Sequence, residues 1–90
     1  MLLPQTLTLD GAAGALDTLR AEAAAGQGVL TIDATALTAF DTAALALLLQ
    51  ARRLAQAGGR EFEVRGAPAK LTQLAQLYGV DGLLGLGQAT

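Results

Sequence analysis

A chain of 90 residues is long enough for one compact domain and too short for two. It contains neither Cys nor His, which excludes disulfides, thiolate or imidazole metal ligands, and Cys- or His-based catalysis by this chain alone. Its formal charge is -2 and its cations, Arg20, Arg52, Arg53, Arg60, Arg65 and Lys70, are scattered along the chain, so a nucleic-acid backbone finds no basic stripe to bind.

The first residues, Met1-Leu2-Leu3-Pro4-Gln5, have neither the basic segment nor the apolar stretch of a secretory leader, so the protein is expected to be cytoplasmic. Thr6 to Leu9 alternates polar and apolar residues and predicts a short strand, with Asp10-Gly11 as the following turn. Ala12 to Ala25 predicts a helix with Leu16, Leu19 and Ala23 on one face, and Gly26 is placed to end it in the left-handed conformation.

Val29 to Asp33 is rich in β-branched residues and reads as a central parallel strand buried on both faces, with Asp33 at its carboxyl end. Ala34 to Phe40 is expected to be a loop. Helix two opens at Asp41 or the residue before it, runs to about Ala57 and stops at Gly58-Gly59. Those glycines follow a helix rather than a strand and have no adjacent lysine, so they do not form a phosphate-binding loop. Within helix two, Ala43 to Leu49 is the longest apolar run in the chain, far short of the roughly 20 residues a bilayer span requires.

Glu61 to Arg65 alternates, sending Phe62 and Val64 to the core and the charged residues to water. Gly66-Ala67-Pro68 is a turn, and Pro68 suits the first turn of helix three. There Leu71, Leu74, Ala75 and Tyr78 recur at helical spacing and Gly79 ends the element. Val80 to Thr90 is compatible with a short strand or a last helical turn. Strands alternating with helices imply an α/β fold with a small, mostly parallel sheet packed by three to four helices, over a single domain spanning residues 1–90. With only Phe40, Phe62 and Tyr78 as aromatics, the core is left to Leu, Val and Ala, and the fold is expected to gain stability from a bound partner.

Helix two carries the functional information. At 100° per residue, Ala44, Leu47, Leu48, Ala51, Leu54 and Ala55 form one stripe that can cover the sheet. Thr42, Leu45, Ala46, Leu49 and Arg53 fall on the other side, so Leu45 and Leu49 are expected to be surplus to the core and exposed, giving an apolar patch with a polar rim. A different rotation of the helix would make both leucines core. Thr42, in the first turn, can cap amides, accept a phosphoryl group or touch a partner, each drawing on the free N–H groups of a helix N-terminus. Asp33 and Asp41 could converge at the carboxyl ends of strands as a metal or phosphoacceptor pair, but such a site needs more chain, a clustered acidic pair and a lysine, and the only lysine is Lys70 in helix three. No metal or cofactor is expected.

The run Val29-Leu30-Thr31-Ile32-Asp33 and then Phe40-Asp41-Thr42-Ala43-Ala44-Leu45 resembles the STAS domain family of anti-sigma factor antagonists and transporter-associated modules. That family is marked by a strand ending in Asp, a loop, and Asp-Ser/Thr before an apolar helix. The Leu-rich helix and the Leu77-Tyr78-Gly79-Val80 stretch look most like its MlaB-like branch, the small cytoplasmic subunits that bind the ATPase of a phospholipid-transport ABC complex at the bacterial inner membrane.

The resemblance implies a non-catalytic interaction subunit. Asp41, Thr42, Leu45, Ala46, Leu49 and Arg53 would be its partner-binding residues, the ABC ATPase its partner, and no nucleic acid or direct membrane insertion would be involved. The alternative it leaves open is an anti-sigma factor antagonist that binds a kinase-like anti-sigma factor and is switched by phosphorylation at Thr42. Many relatives carry Gly two residues after the Ser/Thr. Ala43-Ala44 in its place should stiffen the helix start, which favours a permanent subunit over a phosphorylation cycle. The isolated chain could also pair with a second copy through Leu45 and Leu49.

Overall fold

A computed structural model describes residues 1–86. In chain order the elements are β1 (Thr6–Leu7), α1 (Leu9–Ala25), β2 (Leu30–Asp33), β3 (Ala39–Phe40), α2 (Thr42–Ala57), β4 (Phe62–Arg65), α3 (Ala69–Leu77) and α4 (Asp81–Leu84). This is the small α/β architecture the sequence implied, and every strand pairing among the described residues is parallel.

β2 pairs with β4 from Leu30 opposite Phe62 to Asp33 opposite Arg65. The first residues add a third line to this layer. Met1 and Leu3 flank Asp33, which donates to the Met1 carbonyl at 2.7 Å and accepts from the Leu3 amide at 2.8 Å. Beyond Pro4 the same segment leaves β2 and continues as β1 beside β3, with Thr6 opposite Ala39 and Leu7 opposite Phe40. The opening stretch therefore serves two short ladders in succession, and the expected loop from Ala34 to Phe40 contains a strand. Isolated dipeptides with alternating residues give too weak a pattern to reveal β3 before its partner is known.

Leu30 and Ile32 send their side chains into the core, while Thr31 and Asp33 stay half-buried, so only one face of β2 is fully covered. Val29 lies outside the ladder and is 46% exposed. Its carbonyl accepts from Arg60 instead of a neighbouring strand. Phe62 and Val64 pack on the core but remain half-buried because β4 lies at the edge of its ladder.

α1 starts earlier than its composition suggested. Thr8 takes the extended N-cap conformation, and Asp10 falls in the first turn, where a negative charge complements the helix dipole. The expected strand end and turn at Thr8 to Gly11 are thereby absorbed into the cap and first turn of the helix. Gly26 is extended, with φ -117°, and the left-handed residue comes two positions later at Gly28. The end of α1 is held by a side chain. The Arg60 guanidinium donates to the carbonyls of Glu22 at 3.1 Å, Ala23 at 2.9 Å, Gly28 at 3.0 Å and Val29 at 3.3 Å. A cation here satisfies orphan carbonyls and the negative end of the helix dipole together. Arg60→Ala is expected to cost about 2 kcal/mol, measured by urea unfolding, and Arg60→Lys should recover only part of it because an ammonium cannot span four carbonyls.

The core gathers leucines from every layer: Leu3, Leu7, Leu19, Leu30, Leu37, Leu48, Leu71 and Leu84, with Ile32. Ala44, Ala51, Ala55 and Ala75 lie fully buried beside them and let the helices approach closely. No polar or charged residue is buried among the described residues. On α3, Leu71 and Ala75 are buried as the spacing required. Tyr78 is not: the helix ends at Leu77, and Tyr78 at its C-cap is 58% exposed. The segment from Val80 resolves into the helical turn α4, and residues 87–90 lie outside the described residues. No helix of the described residues is long and apolar enough to cross a membrane.

Candidate functional site

α2 begins at a bifurcated carboxylate. One Asp41 oxygen accepts the Ala43 amide at 2.8 Å, which caps α2, and the other accepts the Leu9 amide at 3.3 Å, which opens α1. Asp41 itself donates its amide to the Leu7 carbonyl at 3.4 Å. A single side chain thus ties together the N-termini of the two helices that pack most extensively on each other. With the cap supplied by Asp41, the Thr42 hydroxyl is not needed for it. Thr42 is exposed and makes no side-chain hydrogen bond among the described residues.

Asp33 plays a different local part. Its carboxylate accepts the Thr35 hydroxyl at 2.6 Å and the Thr35 amide at 2.9 Å, forming the turn that leaves β2. These two bonds, the hydroxyl first, hold its carboxyl below the usual carboxylate range. A group whose pKa is depressed on folding contributes stability above its unfolded pKa and loses it as pH falls through the folded value. Asp33→Asn is therefore expected to flatten the dependence of stability on acid below about pH 4, relative to the wild type, in pH-resolved chemical unfolding. Asp33 and Asp41 each serve their own turn, and the described residues hold no cluster of three or more potential metal ligands.

The expectation that Leu45 and Leu49 are surplus to the core is overturned. Leu45 is only 5% exposed, and Leu49 is half-buried and packed on the core. The buried arc of α2 is wider than a sheet-facing stripe because the helix is flanked on both sides. α1 covers it on one side; α3 and α4 cover it on the other. Ala43 and Leu47 turn towards α1, and Leu45 and Leu49 towards Tyr78 and Val80.

What remains open before the last turn of α2, where Gln56 and Ala57 are exposed, is a narrow ridge, Thr42, Ala46 and Arg53, with half-buried Leu49 and Gln50 on its shoulders. Grooves border it. One, of about 370 Å³, is lined by Thr42, Leu45, Ala46, Leu49, Tyr78 and Val80. Another, of about 350 Å³, runs between α2 and α1 from Leu9 past Ala12 and Leu16 to Arg20. A third, of about 400 Å³, lies towards Leu83 between Leu49 and Arg53. Ala46 belongs to all three, so these are parts of one surface centred on it.

All six residues singled out from the sequence thus come together on or beside this ridge: Asp41 at its start, Thr42, Ala46 and Arg53 along it, Leu49 on its shoulder and Leu45 as the groove floor. The apolar walls that sequence reasoning missed are Leu9, 79% exposed, with Tyr78 and Leu83, 49% exposed.

A model of the family described as "Mlab, STAS domain" matches residues 3–85, which takes in every strand and helix described above. No curated protein sequence matches the chain. Domains of this family are in general non-catalytic binding modules that act through protein–protein contacts. With its parallel ladders, its Asp-capped α2 and a match over nearly its whole length, the chain belongs to the MlaB-like STAS domain family, and its role is one of interaction or regulation.

Proposed function

We propose that this protein is an accessory subunit that binds and supports the ATPase of a Mla-type lipid-transport ABC complex on the cytoplasmic side of the inner membrane, docking through the α2 ridge. The observation that carries the reading is the shape of that face, where an Ala-centred ridge stands between apolar grooves walled by Leu9, Tyr78 and Leu83. The small side chains of Thr42 and Ala46 let a partner approach the helix backbone closely over the first half of the ridge, and the grooves accept its larger apolar residues. Binding only the folded ATPase would raise its stability by mass action.

The experiment is to produce the host's lipid-transport ABC ATPase with and without this chain. Copurification of the two, and a lower soluble yield and turnover of the ATPase alone, are expected. An ATPase that is equally soluble and active alone, and never copurifies, sinks the proposal. The alternative, an anti-sigma factor antagonist switched at Thr42, draws on one specific observation: the Thr42 hydroxyl is exposed and free of capping duty. A phosphate there would add about -1.5 to -2 charge to the head of an apolar face. Phosphothreonine at this position in protein isolated from the native host would favour that reading.

A further inference from the structure

The docking face has a charge pattern of its own. Arg20, Arg52 and Arg53 line the grooves around the ridge and no acidic side chain lines them, although the chain as a whole is acidic with a formal charge of -2. The one carboxylate at the ridge, Asp41, stands at its opposite end from Arg53 and accepts the Leu9 and Ala43 amides. The other two arginines are engaged within the fold, Arg60 on the carbonyls at the end of α1 and Arg65 with Glu63 at 2.9 Å, which is the only ion pair among the described residues. Arg20 and Arg53 are exposed and form no ion pair among the described residues. Arg52, half-buried, faces partly towards the cleft that also holds Glu61, again without an ion pair.

We propose that the segment of the partner seated on this face is apolar in its middle and carries carboxylates at the end that lies over Arg53 and Arg20. This rests on the reading of α2 as the docking face and adds the chemistry of what docks. Ala46 and Arg53 lie on one line of the helix surface, and at 1.5 Å per residue their separation is about 10 Å. A partner helix laid along α2 therefore meets the arginine with an Asp or Glu about two turns beyond its apolar anchor. Guanidinium groups pair carboxylates in a two-pronged geometry, and such pairs set register and speed association more than they add raw affinity.

The test uses the full chain and the purified ABC ATPase, with the dissociation constant measured at low and high salt. Arg53→Glu and Arg20→Glu are each expected to weaken binding tenfold or more at low salt, with the difference shrinking as salt screens the charges. Arg53→Lys should keep most of the affinity. Carbodiimide coupling of the Arg53→Lys complex should then yield an amide bond from the introduced lysine to an Asp or Glu of the ATPase, identified by peptide mass spectrometry.

If both charge reversals bind like the wild type while Ala46→Glu does not, the docking face stands and the acidic partner segment is wrong. If Ala46→Glu also binds normally, the docking reading itself fails. Binding of the wild type to phosphatidylglycerol vesicles through these arginines, without affinity for the ATPase, would assign the face to a membrane and overturn the proposal. So would self-association in analytical ultracentrifugation that disappears in Arg53→Glu, which would make the occupant a second copy of this chain.

Discussion

Ala46→Glu is expected to abolish association with the ATPase while leaving the isolated fold intact. Ala46 is exposed, sits in the middle of α2 and lines all three grooves of the proposed docking face. In the free protein the new carboxylate points to water, and Glu is nearly as good a helix former as most residues, so the stability change should stay within about 0.5 kcal/mol. In the complex the same carboxylate would be buried against an apolar partner surface without a matching cation. A loss of about 3 kcal/mol is then expected, more than a hundredfold in Kd, read by titration calorimetry alongside a circular-dichroism melt of each protein. Leu49→Glu and Leu45→Glu are poorer probes, since both leucines pack on the core and a failure to bind would be confounded with unfolding. Unchanged affinity in Ala46→Glu would remove α2 from the interface.

Among the glycines of the described residues, Gly66→Ala is expected to be the most damaging single methyl. Gly66 has φ 67°, a conformation that costs an L-residue about 1–2 kcal/mol. A Cβ there would also run into Cγ2 of Thr35. Thr35 cannot swing aside freely, because its hydroxyl and amide are both held by the Asp33 carboxylate. The two penalties together should approach about 3 kcal/mol and lower Tm by about 15 °C. Thr35→Ser removes Cγ2 and keeps the hydroxyl. In that background Gly66→Ala should cost less by the share due to Cγ2, leaving the conformational term of about 1–2 kcal/mol and a close approach to the Cβ and Cα of residue 35. Equal costs in the two backgrounds would show that the collision is not what matters.

The candidate site is partly legible in the sequence. Asp41 and Thr42 at the head of an apolar helix were visible as residue types whose side chains suit a helix start, and the line Thr42, Ala46, Arg53 follows from helical periodicity. The division of labour between Asp41 and Thr42 was not legible, because either can cap. It is the Leu9 amide, thirty-two residues away in sequence, that engages the second Asp41 oxygen and leaves the Thr42 hydroxyl free. Leu45 was misplaced for a related reason. A helical wheel gives directions relative to one surface, and α2 is enclosed by three further helices whose positions no wheel contains.

Local chemistry in the sequence determined the kinds of element and most of their limits. Helix-favouring composition marks α1 and α2, alternation marks β4, and Gly58-Gly59 and Gly79 mark where helices stop. These are governed by neighbours within a few residues, whose spacing the sequence states directly. What only the tertiary structure decided depends on residues brought together from afar. It split the first residues between β2 and β3, assigned Arg60 to the end of α1, buried Leu45, and exposed Leu9 and Tyr78 as walls of one surface around Ala46. Burial and hydrogen-bond partnership across thirty or more residues are properties of packing, set by which layers meet, and no local pattern records them.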